Sequence, residues 1–187
     1  MPANWRWLLA AVLVVAVVAF SGAIDAPFQL DDVGSIPRNP TVAHLSTDAL
    51  SPPGGGLAVS GRPISNLSFA VNGAIDRALG VDAGADATHA NTVGYHVVNV
   101  LLHLLCGLLV FGVVRRTIAL GRGLTEWVDE ADGVALAVAA LWLVHPILTD
   151  AVDYIVQRTE LLVSVFYAAT LYASIRAWDA GGCGLRP

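Results

Sequence analysis

The chain has 187 residues, of which 56% are hydrophobic and 13% charged, with a formal net charge of −5. Soluble domains carry about 25% charged residues, so this composition excludes an ordinary soluble domain and points to a protein built for lipid. The acidic balance also excludes a nucleic-acid surface, whose phosphates demand basic side chains.

A hydrocarbon core about 30 Å thick takes ~20 apolar residues per helix, and residues 7–23 form the first stretch of that kind. Arg6 precedes it, and Ser21-Gly22-Ala23 resembles a small-residue cleavage site. The apolar run is nevertheless longer than the roughly 7–15 residues of a signal-peptide core, and further spans follow. It reads as an uncleaved anchor.

An outer segment, residues 24–94, comes next. Its first part is punctuated by Pro27, Pro37, Pro40, Pro52, Pro53 and the run Gly54-Gly55-Gly56, and so reads as loop. Within it, Asp31 and Asp32 lie a few residues beyond the first span, in the polar, turn-rich run 28–40. A carboxylate pair at a membrane surface can act on a lipid-borne substrate, although two adjacent aspartates in a loop are more often turn formers. Gly61-Arg62-Pro63-Ile64-Ser65 is then a helix-start signal. The helix is expected over residues 65–79, with Ile64, Leu67, Val71, Ile75 and Leu79 as one apolar stripe at three- and four-residue spacing. Beside a bilayer such a helix lies in the interface plane or packs on other protein surface. Residues 80–91 are small and acidic without periodicity, a flexible loop tip.

The second span, residues 95–114, carries polar side chains. His96, Asn99 and His103 fall on one helix face. Polar groups in a span are costly and turn toward a bundle interior or a watery cavity. Interhelical hydrogen bonding, worth about 1 kcal/mol per contact, accounts for them better than haem ligation, for which only His145 offers a partner. The link 115–132 is short and amphiphilic. A third span at residues 133–148 ends in His145-Pro146, where proline removes a backbone donor and stops or bends the helix. The outer link 149–160 gathers Asp150, Asp153, Arg158 and Glu160 before the fourth span, residues 161–178.

All ten basic residues are arginine. Arg6, Arg115, Arg116, Arg122, Arg176 and Arg186 fall on one side if the spans alternate, which places the N-terminus in the cytoplasm. Residues 24–94 and 149–160 then face outward, and the longer of these holds seven aspartates against three arginines. The two cysteines, Cys106 in a span and Cys183 in the tail, sit in different environments and form no disulfide framework. Asp31 and Asp32 could help hold a divalent cation, but hard cations want about six oxygen ligands. No such shell can be assembled, so neither a metal nor another cofactor is assigned.

Taken in order over residues 28–162, the run 28–40 with its aspartate pair and Asn39-Pro40, Gly61-Arg62-Pro63-Ile64-Ser65, Gly94-Tyr95-His96 through Asn99 to His103, His145-Pro146-Ile147, and Tyr154-Ile155-Val156-Gln157-Arg158-Thr159-Glu160-Leu161-Leu162 resemble one family. It is the tetratricopeptide-repeat membrane glycosyltransferases, which include the transmembrane O-mannosyltransferases and their bacterial relatives. The resemblance implies the type C glycosyltransferase fold, with many membrane helices and a large first outer loop carrying the acid. Joined to the four apolar spans and the interfacial helix read above, it gives an all-α polytopic membrane protein with part of that fold, as a single membrane domain. It implies transfer of a sugar, mannose among the candidates, from a polyprenyl-phosphate carrier to a protein hydroxyl or other acceptor outside the cytoplasm. On that reading the general base is Asp31 or Asp32, and the donor phosphate meets Arg62 or Arg158. Glu160 and His96 complete the substrate-binding candidates. The implied partners are the bilayer, the polyprenyl-phosphate-linked sugar and an acceptor protein or glycan, at the plasma membrane.

Family members have more spans and mostly continue into helical repeats of ~34 residues, whereas this chain stops after its fourth span. The expectation is therefore a fragment or a truncated gene product, inactive alone. The alternative is a non-catalytic membrane protein, or a degenerate remnant with a structural or assembly role, in which the acids merely pair and cap.

Overall fold

The computed structural model describes residues 5–81, 91–120 and 125–180. Arg122, Cys183, Arg186 and residues 82–90 of the expected loop tip lie outside the described residues. The architecture is helical, without strands among the described residues. In chain order the helices are α1 (Trp5–Phe20), α2 (Asp31–Ser35), α3 (Pro63–Ala78), α4 (Val93–Ala119), α5 (Ala131–Leu143), α6 (Thr149–Asp153) and α7 (Arg158–Ala180), with short 3-10 turns between several of them. Three stretches are long and apolar enough to cross a membrane: Trp5–Ala23, Val93–Ala119 and Ile155–Ala180. A fourth is available if the pair Glu126–Leu143 and Pro146–Asp153 counts as one span bent by 51°. The bend falls at the His145-Pro146 break that proline chemistry predicts, because Pro146 offers no N–H to continue the ladder.

The chain groups into two compact units. One comprises residues 1–19, 102–146 and 163–187. Its described core is small and aromatic: Trp5 stacks on Phe111 with centroids 5.5 Å apart, and Arg115 lies over the Trp5 ring while pairing with the buried Asp132. Arg116 lies over Tyr172 and bonds Asp179 at 3.3 Å. His103 donates from Nε2 to the Leu143 carbonyl at 2.9 Å and stacks on Trp142. Gly107 lets α4 approach α5, since a Cβ there would come within 2.6 Å of Leu143 Cγ.

The other unit comprises residues 20–101 and 147–162. Its apolar core gathers Phe28, Ile36, Val42, Val59, Phe69, Tyr95 and Ile155. The proline-rich loop around α2 is held by two buried asparagines. Asn66 Nδ2 donates to Thr41 Oγ1 and to the Ala49 carbonyl, and its Oδ1 accepts from Asn39 Nδ2. Asn39 Nδ2 also donates to the Ser35 carbonyl, and its Oδ1 accepts from the Thr41 N–H and hydroxyl. A loop without ladder hydrogen bonds must satisfy its polar groups through side chains, and these two amides do so.

Helix α3 buries the opposite face from the one its sequence advertises. Ser65, Asn66, Phe69, Ala70, Asn72, Gly73 and Asp76 are buried, whereas Ile64, Val71, Ile75 and Leu79 of the predicted stripe are exposed. The helix opens with Pro63 at its first turn, where the missing N–H is no loss.

Candidate functional site

The segment from Tyr154 to Glu160 organises the site, and it is itself fixed from α4. Asn99 Nδ2 lies within hydrogen-bond reach of the carbonyls of Val152, Tyr154 and Ile155 at 3.2–3.5 Å. An amide donor inside an apolar helix bundle has few alternatives to such carbonyls, and leaving them unpaired would cost about 1–3 kcal/mol apiece.

Asp31 and Asp32 open α2 and dock on this segment, but in different ways. Asp32 is 1% exposed. Its Oδ1 accepts from the Val156 N–H at 2.7 Å and its Oδ2 from the Gln29 N–H at 3.0 Å. Burial pushes its carboxyl up from the ordinary 3.8 to about 6; the two backbone donors pull it partly back, and the neighbouring Asp31 adds to the rise. Asp31 is exposed, and its backbone N–H donates to the Tyr154 hydroxyl at 2.8 Å. The pair thus divides into an enclosed carboxyl that ties the loop down and a solvent-facing one.

Arg62 reaches the same segment from the start of α3. Its Nη1 donates to Thr159 Oγ1 at 3.2 Å and to the Ala58 carbonyl at 3.1 Å, and its Nη2 lies 3.6 Å from Glu160 Oε1. Both charged side chains are about half exposed, so the ion pair is loosely held and contributes at most about 1 kcal/mol. Thr159 donates in turn to the Val156 carbonyl, so the backbone N–H and carbonyl of the one residue Val156 link the Asp32 anchor to the Arg62 contact.

Arg158 is enclosed completely, with no exposed surface. Nε donates to Asn99 Oδ1, Nη2 to Asn72 Oδ1 and to the Tyr95 carbonyl, each at 2.9 Å, and Nη1 to the Ser68 carbonyl at 3.3 Å. The guanidinium also lies 4.5 Å from the centroid of Phe69. Planar five-donor geometry suits arginine to such a cage. The same cage leaves no face for a phosphate, which removes Arg158 from the groups free to meet a ligand in this arrangement. His96 is placed similarly. It is 3% exposed and donates from Nε2 to the Ala26 carbonyl at 3.0 Å, beside Thr92, which donates to the same oxygen. Of the six residues singled out from sequence, the structure therefore gathers Asp31, Asp32, Arg62 and Glu160 around one turn, and uses Arg158 and His96 as internal ties.

A cleft of about 340 Å³ lies at the aspartate turn, lined by Pro27, Gln29, Leu30, Asp32, Asp150, Asp153 and Tyr154. Tyr154 went unassigned from sequence, although a phenol between acids at the head of the Gln157-Arg158 element is a legible signal. Among the described residues no group of three His, Cys, Asp or Glu is placed to hold a metal ion.

Helices of membrane-crossing length and an acid-bearing loop docked on a polar turn define a helical membrane protein. The chain is similar to the TMTC protein O-mannosyl-transferases. It is 32% identical to protein O-mannosyl-transferase Tmtc1 of Drosophila melanogaster across 85% of its length, covering 17% of that protein. It is 29% identical to protein O-mannosyl-transferase TMTC1 of Mus musculus across 98% of its length and 18% of the relative. The Caenorhabditis elegans protein O-mannosyl-transferase F38B6.6 is 25% identical across 90% of the chain and 23% of the relative. The chain thus spans about a fifth of the length of the curated relatives it matches. No family model and no solved structure matches it.

Proposed function

We propose that this chain carries the acid-bearing outer loop of a membrane glycosyltransferase of the type C fold. The reaction is transfer of mannose from a polyprenyl-phosphate carrier to a protein hydroxyl outside the cytoplasm. The observation that carries the reading is the convergence of Asp31, Asp32 and Arg62 on the 154–160 segment, in a chain related to O-mannosyl-transferases along most of its length.

Asp31 is the general base on this reading, because its carboxylate is the accessible one of the pair. It takes the proton of the acceptor hydroxyl while that oxygen bonds to the anomeric carbon. The bond from that carbon to the carrier phosphate breaks, and the phosphate leaves with the electron pair through a transition state of oxocarbenium character. The half-exposed Arg62 is the group suited to receive the growing negative charge. Asp32 fixes the loop. The exposed apolar stripe of α3 supports placing that helix in the interface, and the arginine distribution supports a cytoplasmic N-terminus with the aspartate loop outward, in the plasma membrane on this reading.

The test supplies the complete protein that contains this segment, in lipid vesicles with a serine- and threonine-rich acceptor peptide, with labelled mannose in two forms. Label is expected in peptide from mannosyl polyprenyl phosphate and not from a nucleotide sugar. Transfer from the nucleotide sugar alone, or from neither form, refutes the reading.

A further inference from the structure

Among the described residues Leu30 is the only one other than glycine with a positive φ. Its φ of 41° and ψ of −111°, with the Asp32 N–H donating to the Gln29 carbonyl at 2.8 Å, are those of the first central residue of a type II′ turn. Glycine normally holds that position, because a Cβ there is strained. Such strain persists only where the surroundings over-determine the backbone, and it collects at ligand clamps and reactive sites. Leu30 is 85% exposed and lines the cleft, so no packing of its own side chain fixes the turn.

The turn is held instead by its neighbours. Asp32 ties its end to Gln29 and Val156. At its centre the Asp31 N–H donates to Tyr154 Oη, the contact that reaches the turn from 123 residues away. Tyr154 is in turn fixed through its own backbone, whose N–H donates to the Asp150 carbonyl and whose carbonyl accepts from the Gln157 N–H.

We propose that Tyr154 is a positioning residue for the transfer: its hydroxyl holds the strained Leu30 turn, and thereby sets the backbone that carries the exposed Asp31 carboxylate, next in sequence to Leu30 and Asp32 of the cleft lining. The assignment rests on the mannosyl-transfer reading above. Without the hydroxyl, Leu30 relaxes to negative φ and the carboxylate moves off its line to the acceptor oxygen, whereas binding of the carrier, which this turn does not contact through Arg62, is retained. A glycine at position 30 removes the reason to relax, since it adopts positive φ without steric cost.

The experiment compares Tyr154→Phe with the double variant Leu30→Gly/Tyr154→Phe in the complete protein that contains this segment, measuring kcat and KM for mannosyl polyprenyl phosphate and the hydrogen exchange of the Asp31 amide. Tyr154→Phe is expected to lower kcat roughly 10- to 100-fold, the scale of a ~1 Å misplacement, with KM for the donor within about twofold on the same argument. The Asp31 amide is expected to exchange at least about tenfold faster, as a locally opened site does. The double variant is expected to recover most of the lost kcat. An unchanged kcat in Tyr154→Phe, or a double variant no better than the single one, overturns the positioning role. If the parent protein transfers no sugar, the transfer reading fails. The exchange arm still judges the clamp, and an Asp31 amide equally protected with and without the hydroxyl refutes it.

Discussion

Asp32→Asn removes a buried titrating group without changing its shape, and its consequence for stability has a definite sign. The folded carboxyl sits at about 6 against an ordinary 3.8, so the folded protein keeps this proton where the unfolded chain has already lost it. Stability from the protonated form is complete below about pH 4, the unfolded value, and is lost as the pH rises through 6. An elevation of that size corresponds to about 3 kcal/mol. The asparagine variant has no such dependence, so relative to the parent it gains about 3 kcal/mol between pH 4 and pH 7.5. For a chain of this length that is roughly 6–12 °C in Tm. Thermal unfolding in detergent micelles, followed by circular dichroism across this pH range, reads the difference directly. Asp76, whose carboxyl burial also raises, titrates in both proteins and cancels. Two Tm curves that run parallel from pH 4 to pH 7.5 would show that Asp32 is not buried as described.

Two further substitutions probe the scaffold. Arg158→Met leaves Asn72, Asn99 and the carbonyls of Tyr95 and Ser68 without their donor, and should cost about 3–5 kcal/mol. Size-exclusion yield and Tm in detergent should both fall, and more so than for Arg158→Lys, which keeps the charge but not the fork; a methionine variant with the parent Tm contradicts the cage. Gly107→Ala drives a methyl into Leu143 and should cost about 1–3 kcal/mol as an overpacked contact, again read by Tm, with no loss expected if α4 and α5 do not approach there.

Much of the fold was legible because its signals are local. Membrane-length apolar runs, the Pro146 break and the Pro63 helix start each depend on a few adjacent residues. So does the alignment of His96, Asn99 and His103, which the structure resolves into donors to backbone carbonyls. The errors are non-local. Arg158 looked available beside Asp153 and Glu160, but its cage is built from α3 and α4, 59 to 90 residues away. The α3 stripe left an interfacial face and a protein-packed face both open, and most of it is exposed. The buried face is instead the polar one, because Asn66 and Asn72 serve partners that no helical pattern reveals. Nor does the chain announce that Asp31 and Asp32 differ: adjacent in sequence, they are separated by which of them meets the Val156 N–H. The strained turn at Leu30 has no sequence signature, since leucine there argues against it.

The central claim is that Asp31 is the base and Asp32 its anchor, and Asp31→Asn measured for transfer and stability together tests it most directly. With the complete protein, mannosyl polyprenyl phosphate and acceptor peptide in vesicles, the account predicts a rate at least about 100-fold below the parent, the lower bound for losing a general base, at an unchanged Tm. Transfer within a few-fold of the parent by that variant would contradict it.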